Sequence, residues 1–243
     1  GVNAAFNLLN TYIDNNRREN RGLNLMDGET AVREIRRDMQ KGSQDIFVAD
    51  SLSLQRHIKR DSSAVFAEGE KPNVVIVLME SMSAKLMRHF GCDVTMTPFL
   101  DSLWNESLSF DNFYSVGNHT NQGIYSTLYG FPTVLSRNAM KGTDIPTYYG
   151  MPNVFAEKGY STSFYMTHES QYDNMNAFLR TNGFKHIRSQ EDYPGDSIVN
   201  SFGVSDGFLF NYALNELKTM QQPFFSVLLT ISNHPPYVVP DWF

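Results

Sequence analysis

Only one cysteine, Cys92, occurs in 243 residues, so no internal disulfide can form and stability must come from burial. That scarcity is neutral about compartment, because secreted bacterial proteins need not use disulfides. No run of about 18 apolar residues is present, which excludes a transmembrane helix within these residues. Positive charge is short: 20 Lys and Arg face 26 Asp and Glu, giving a net charge of −6. A nucleic-acid footprint is therefore excluded. The basic runs Arg17–Arg18 and Arg33 to Arg37 are brief and read as solvated helix faces. Gly1-Val2-Asn3 opens an amphipathic stretch with no basic leader, unlike a signal peptide. The chain starts without Met and stops at Asp241-Trp242-Phe243 after a proline-rich turn, so it is expected to be a fragment of something longer.

Aromatic residues, in contrast, are abundant at 13%, with 18 Phe and 12 Tyr, as suits a tightly packed interior and a ring-lined cleft. The length suits one large α/β domain or one and a half smaller ones.

Residues 1–70 contain no proline and are polar. They read as a helical arm or linker, packed on the main domain, with helices near 4–14 and 29–41. Thr30 is the expected N-cap of the second, which carries Val32, Ile35 and Met39 at helical spacing. Asn20-Arg21-Gly22 and Lys41-Gly42-Ser43 read as its loops.

From Lys71 onward, strands and helices alternate, which argues for a mostly parallel sheet with helices on both faces. Val74 to Met79 is an apolar run expected to be a strand covered on both faces. A helix is expected behind Thr97-Pro98, where Pro suits the first turn, and a second strand at 108–116. Helices follow at 121–129 (stopping at Gly130), 154–158 (ending at Gly159), 172–181 (stopping at Asn182-Gly183) and 205–220. Strands are expected at 161–166 and 224–231.

Glu80 and Ser81 stand at the carboxyl end of the first strand, the edge where open α/β sheets place ligands. A carboxylate there binds a hard cation, handles a proton, or merely caps the next helix. About 40 residues on, Thr120 stands at or just before the first turn of a helix. Its hydroxyl meets free N–H groups and the positive end of the helix dipole, a seat for an oxyanion. The plainer reading is an N-cap. His168 and His234, on residues alone, read first as satisfied structural histidines in loops, with a ligand role as the alternative.

The motifs Met96-Thr-Pro-Phe-Leu-Asp-Ser-Leu103, Phe110-Asp-Asn-Phe-Tyr-Ser115, Gly117-Asn-His-Thr120 and Leu128-Tyr-Gly-Phe-Pro132 follow Glu80-Ser81 in order. Gly159-Tyr160, His168, Gly203-Val-Ser-Asp206 with Leu209-Phe210, and Thr230-Ile-Ser-Asn-His-Pro-Pro236 come after them. Together, over roughly residues 71–240, they resemble the extracellular catalytic domain of lipoteichoic acid synthases and related sulfatase-like phosphoglycerol transferases. The resemblance implies an alkaline phosphatase/sulfatase-like α/β/α sandwich with a mostly parallel central sheet, here without its C-terminal part. Residues 71–243 would be the N-terminal portion of that catalytic domain.

It also implies Glu80 as a metal ligand, and Thr120 as both ligand and nucleophile. His168 and His234 would contact the substrate phosphate or glycerol hydroxyls. The implied ion is divalent, usually Mn2+, with Mg2+ or Zn2+ as alternatives. The donor would be a phospholipid head group and the acceptor an envelope glycan or polymer. The domain would lie on the extracytoplasmic face of the cell membrane, joined by the arm to a membrane region absent here.

Two departures stand out. The family completes its metal site with an Asp-His pair beyond the Asn-His-Pro motif, and no such pair follows here; these 243 residues alone are expected to be inactive or only partly metal-loaded. Where the family offers a Trp and an Arg after its histidine, this chain reads Glu169-Ser-Gln-Tyr-Asp-Asn-Met-Asn176. Tyr172 is the ring available to replace the Trp, and no arginine precedes Arg180. The transferred group is therefore open between phosphoglycerol, phosphoethanolamine and another alcohol phosphate. A true sulfatase needs its cysteine within Cys-x-Pro-x-Arg; Cys92 lies in Gly-Cys-Asp-Val and reads as a small buried hydrophobe. A phosphodiesterase or phosphatase using Thr120, and a non-catalytic envelope binding domain, are the other readings.

Overall fold

The computed structural model describes residues 13, 26–40, 45–49, 53–58, 69–131, 133, 138–141 and 145–239. It divides into two units, Gly1–Lys71 and Pro72–Phe243. In the first, α1 (Gly28–Met39) is capped by Asp27, whose Oδ1 accepts from Thr30 N at 2.9 Å. The expected cap, Thr30, is instead the residue that donates to it: Asp27 precedes the first turn, and its short carboxylate reaches the free N–H groups there. A hairpin of β1 (Asp45–Phe47) and β2 (Arg56–Ile58) was not anticipated, because three-residue strands carry no readable alternation. Arg36 joins helix to hairpin, donating to Val48 O at 3.1 Å and Ser53 O at 2.9 Å. The helix expected at 4–14, apart from Ile13, and both expected loops lie outside the described residues.

The second unit holds β3 (Val74–Leu78), α2 (Pro98–Glu106), α3 (Thr120–Tyr129), α4 (Met151–Glu157), β4 (Ser161–Met166), α5 (Met175–Thr181), β5 (His186–Arg188), β6 (Ile198–Asn200), β7 (Gly203–Val204), α6 (Asp206–Leu217) and β8 (Phe224–Leu229). Four strands form one wholly parallel sheet in the order β3-β8-β4-β5. Leu78, Leu229 and Met166 are in register, so three strands end side by side.

The central strands β4 and β8 are buried almost throughout. Phe225, Val227 and Leu229 of β8 point into one core with Ile124, Leu128, Phe178 and Leu179 of α3 and α5. Phe224 and Leu228 point the other way, against Leu209, Ala213 and Leu217 of α6. Helices thus cover both faces of a parallel sheet, giving three α/β/α layers.

Three expectations are corrected. β3 is buried on one face only: Val74, Ile76 and Leu78 pack on the first core, while Val75 (49% exposed) and Val77 (40%) face outward. It is an edge strand of the sheet, and α6 packs on β4 and β8. Residues 108–116 form no strand, and Leu108, Phe113 and Tyr114 are exposed. A strand exists only through its ladder, and among the described residues none pairs with this segment. The helix expected at 172–181 is broken: a 3-10 turn spans Tyr172–Asn174, and the helix proper begins at Met175.

Candidate active site

Glu80 lies two residues past the end of β3, and β8 holds it there. Thr230 N donates to Leu78 O at 3.0 Å, and Glu80 N donates to Thr230 Oγ1 at 3.0 Å. The chain then turns sharply at Ser81, whose φ of +54 is unusual for a residue with a Cβ. Asn233 Nδ2 closes the turn by donating to Ser81 O at 3.1 Å, which ties the loop of His234 to the same strand tip.

Thr120 is the first residue of α3, with His119 in the cap position. Gln122 serves the cap, its Oε1 accepting from His119 N at 3.3 Å and Asn118 N at 3.0 Å. Thr120 is thereby released from capping, and its Oγ1 donates to Glu80 Oε2 at 2.8 Å. An acidic oxygen and an alcohol oxygen, 40 residues apart in sequence, meet in a half-buried position at a helix N-terminus.

His168 follows β4 by two residues and is only 3% exposed. Its Nδ1 lies 3.1 Å from Glu169 O; the carbonyl can only accept, so Nδ1 carries the proton. Nε2 is left as a buried acceptor with no partner among the described residues. Burial pushes the pKa below the ordinary 6.5, against the opposing pull of the Glu169 carbonyl, Asp173, Glu80 and Glu191. His168 is thus neutral at pH 7. Its burial in the neutral form stabilises the fold above pH 6.5, and that contribution is lost as the pH falls from 6.5 towards the lower folded value. An NMR titration should place its midpoint below 6.5; a midpoint at or above 6.5 contradicts this environment.

The rings form a row. His168 stacks obliquely on Tyr172 at 4.7 Å between centroids, Tyr172 meets Phe202 edge-on at 6.3 Å, and Phe202 meets His234 at 4.6 Å. Burial, then Asp173, raises the Tyr172 hydroxyl pKa, with Glu80 also within electrostatic reach. His234 has Nδ1 2.6 Å from Pro235 O, so its proton too is held by a carbonyl. Asp206 pins its loop, with Oδ1 accepting from Ile231 N at 2.7 Å and Ser232 N at 3.0 Å.

Phe202 escaped the sequence reading, and Thr230 entered it only as the first residue of a motif, without a role. Phe202 sits at the turn of the β6–β7 hairpin, and the signal for it was Gly203. That glycine has φ +90, and a Cβ on it would overlap the Thr167 carbonyl, which accepts from Val204 N at 3.2 Å. Gly203→Ala is expected to cost about 1–3 kcal/mol from backbone strain alone. It should also displace Phe202 from Tyr172. Urea unfolding checks the first part, and a loss under about 0.5 kcal/mol contradicts it.

A divalent cation suits Glu80 and Thr120 in donor chemistry, since both offer hard oxygens, already 2.8 Å apart. Among the described residues no group of three or more His, Cys, Asp and Glu could hold a metal ion. The pair would therefore be part of a coordination shell. Cys92 is half-buried and unpaired by any disulfide.

The sulfatase family model matches residues 72–243. Lipoteichoic acid synthase 2 of Bacillus subtilis (strain 168) is 23% identical over 224 residues, which are 85% of this chain and 33% of that protein. The chain thus spans about a third of the length of such curated relatives. A crystal structure of an alkaline phosphatase superfamily protein from Vibrio parahaemolyticus superposes with a TM-score of 0.65 at 35% identity, over 72% of this chain and 44% of that one. The lipoteichoic acid synthase LtaP from Listeria monocytogenes shares the fold, with a TM-score of 0.62 at 22% identity, over 70% and 42%.

Proposed function

This chain belongs to the sulfatase family, and from that premise we propose that it carries the nucleophile of a phosphoryl-group transferase. An alcohol-phosphate group would pass from a phospholipid head group to an envelope glycan or polymer by way of Thr120. The single observation that supports this most is the hydrogen bond from Thr120 Oγ1 to Glu80 Oε2.

In the first step, Thr120 Oγ attacks the phosphorus of the donor diester and its proton leaves along the bond to Glu80. The phosphorus–oxygen bond to diacylglycerol breaks, and that oxygen takes up a proton. In the second step, an acceptor hydroxyl attacks the phosphothreonine, the bond to Oγ breaks, and Oγ takes up the proton that the acceptor hydroxyl loses. A divalent ion held by Glu80 and Thr120, Mn2+ by family resemblance, supplies charge neutralisation and a lower hydroxyl pKa. Mg2+ and Zn2+ are the alternatives.

His168 and His234 both commit Nδ1–H to a carbonyl, so each offers Nε2 as an acceptor. Acceptors of this kind suit the hydroxyls of a polyol phosphate. Tyr172 supplies an apolar wall between them. The domain would work on the extracytoplasmic face of a bacterial membrane, linked to it by sequence outside these residues. Among the described residues, no helix is long and apolar enough to cross a bilayer.

The test uses the longest native protein that carries this chain, incubated with Mn2+ and fluorescent phosphatidylglycerol. Diacylglycerol release is expected. Release from no phospholipid, with turnover of small phosphate esters instead, would replace the transferase by a hydrolase.

A further inference from the structure

Asp173 joins three elements that the chemistry above leaves unused. Its Oδ2 accepts from Asn121 Nδ2 at 2.9 Å, and Asn121 is the residue next to Thr120. Its Oδ1 meets Lys141 Nζ at 2.7 Å. Asp173 and its neighbour Asn174 both adopt left-handed backbone, at φ +51 and +61, a conformation Asp and Asn tolerate better than other side-chain-bearing residues. Asn174 Nδ2 donates to Met140 O at 2.8 Å, beside the Lys141 contact. Two consecutive residues of one loop thus grip two consecutive residues of another, and what they fix is the position of an ammonium.

The Lys141 side chain is 59% exposed, whereas that of Asp173 is 16% exposed. Asp173 occupies one of the three ammonium donors, which leaves the others directed outward. Lys141 acts electrostatically on Tyr172, and Asp173 on both Tyr172 and His168. Asp173 follows Tyr172 directly and holds Asn121, the neighbour of Thr120, so the ammonium it binds lies beside the same residues.

We infer that Lys141, anchored by Asp173 beside the first turn of α3, determines head-group specificity by binding the donor's phosphate oxygens and repelling a cationic head group. The inference rests on the transferase reading and narrows it: the transferred group is an uncharged alcohol phosphate, and phosphoethanolamine is disfavoured. Asp173 is a positioning residue for both Lys141 and Asn121.

Glycerol 1-phosphate and ethanolamine phosphate are titrated calorimetrically, with Mn2+, into the native protein and into Lys141→Met and Lys141→Glu. The native protein should prefer the glycerol ester. Lys141→Glu should move the ratio of the two Kd values about tenfold or more towards the ethanolamine ester. Lys141→Met should fall between them, with a cooperative urea transition showing that it is folded. Equal ratios in all three proteins overturn the assignment, as does a native protein that binds neither ester. A shifted ratio in a protein that turns over no phospholipid keeps the Lys141 assignment and removes the transferase reading.

Discussion

Thr120→Ala is expected to lower diacylglycerol release at least about a thousandfold, the scale of removing a covalent nucleophile. The substitution leaves α3 largely undisturbed, because His119 and Gln122 carry the cap and alanine suits a helix. What disappears is the one hydroxyl hydrogen-bonded to Glu80 Oε2. Ser81 is the nearest substitute, but its Oγ lies 3.4 Å from the other carboxylate oxygen and follows a constrained turn. Thr120→Ser keeps Oγ and should retain activity within about tenfold of the native protein. The assay is release from fluorescent phosphatidylglycerol, and release that survives Thr120→Ala would dismiss the proposed nucleophile.

Phe225→Ala should destabilise the second unit by about 3–5 kcal/mol, the range for emptying an aromatic site in a packed core. Phe225 is fully buried on β8, the strand paired on both sides. Its ring lies 4.4 Å from that of Phe155 and nearly parallel to it, with Phe184 at 6.1 Å. Both neighbouring rings are held by further rings, Phe155 by Tyr160 and Phe184 by Phe164. Because β8 also carries Thr230, which holds Glu80, loosening it should weaken the site before the fold is lost. Urea unfolding followed by near-UV signal measures the effect; a loss below about 1 kcal/mol contradicts the central place given to β8.

β8 was legible because its apolar run behind Pro223 matches the requirement of a strand buried on both faces, whereas β4, Ser-Thr-Ser-Phe-Tyr-Met, was placed by the helix stop at Gly159 before it. β3 looked the same in sequence, yet lies at the sheet edge; local composition cannot tell an edge from a centre. Residues 108–116 have strand-like residues but no ladder partner, and β5 is too short to show a period. The break at Asp173 lies inside a helical pattern because its cause is tertiary: Asn121 and Lys141 hold it from afar.

The site was legible in part. Motif order suggested that Glu80 and Thr120 converge, and their side chains do meet. The role of Thr230, 150 residues from Glu80, left no local trace, nor did that of Phe202, whose importance comes from the ring row it completes.

The most direct measurement is peptide mapping by mass spectrometry after the native protein is quenched during turnover of phosphatidylglycerol. A phosphoglycerol group on the peptide bearing Thr120, absent from Glu80→Gln, is the expected result. An adduct on any other side chain, or steady diacylglycerol release with no adduct formed, would contradict the account.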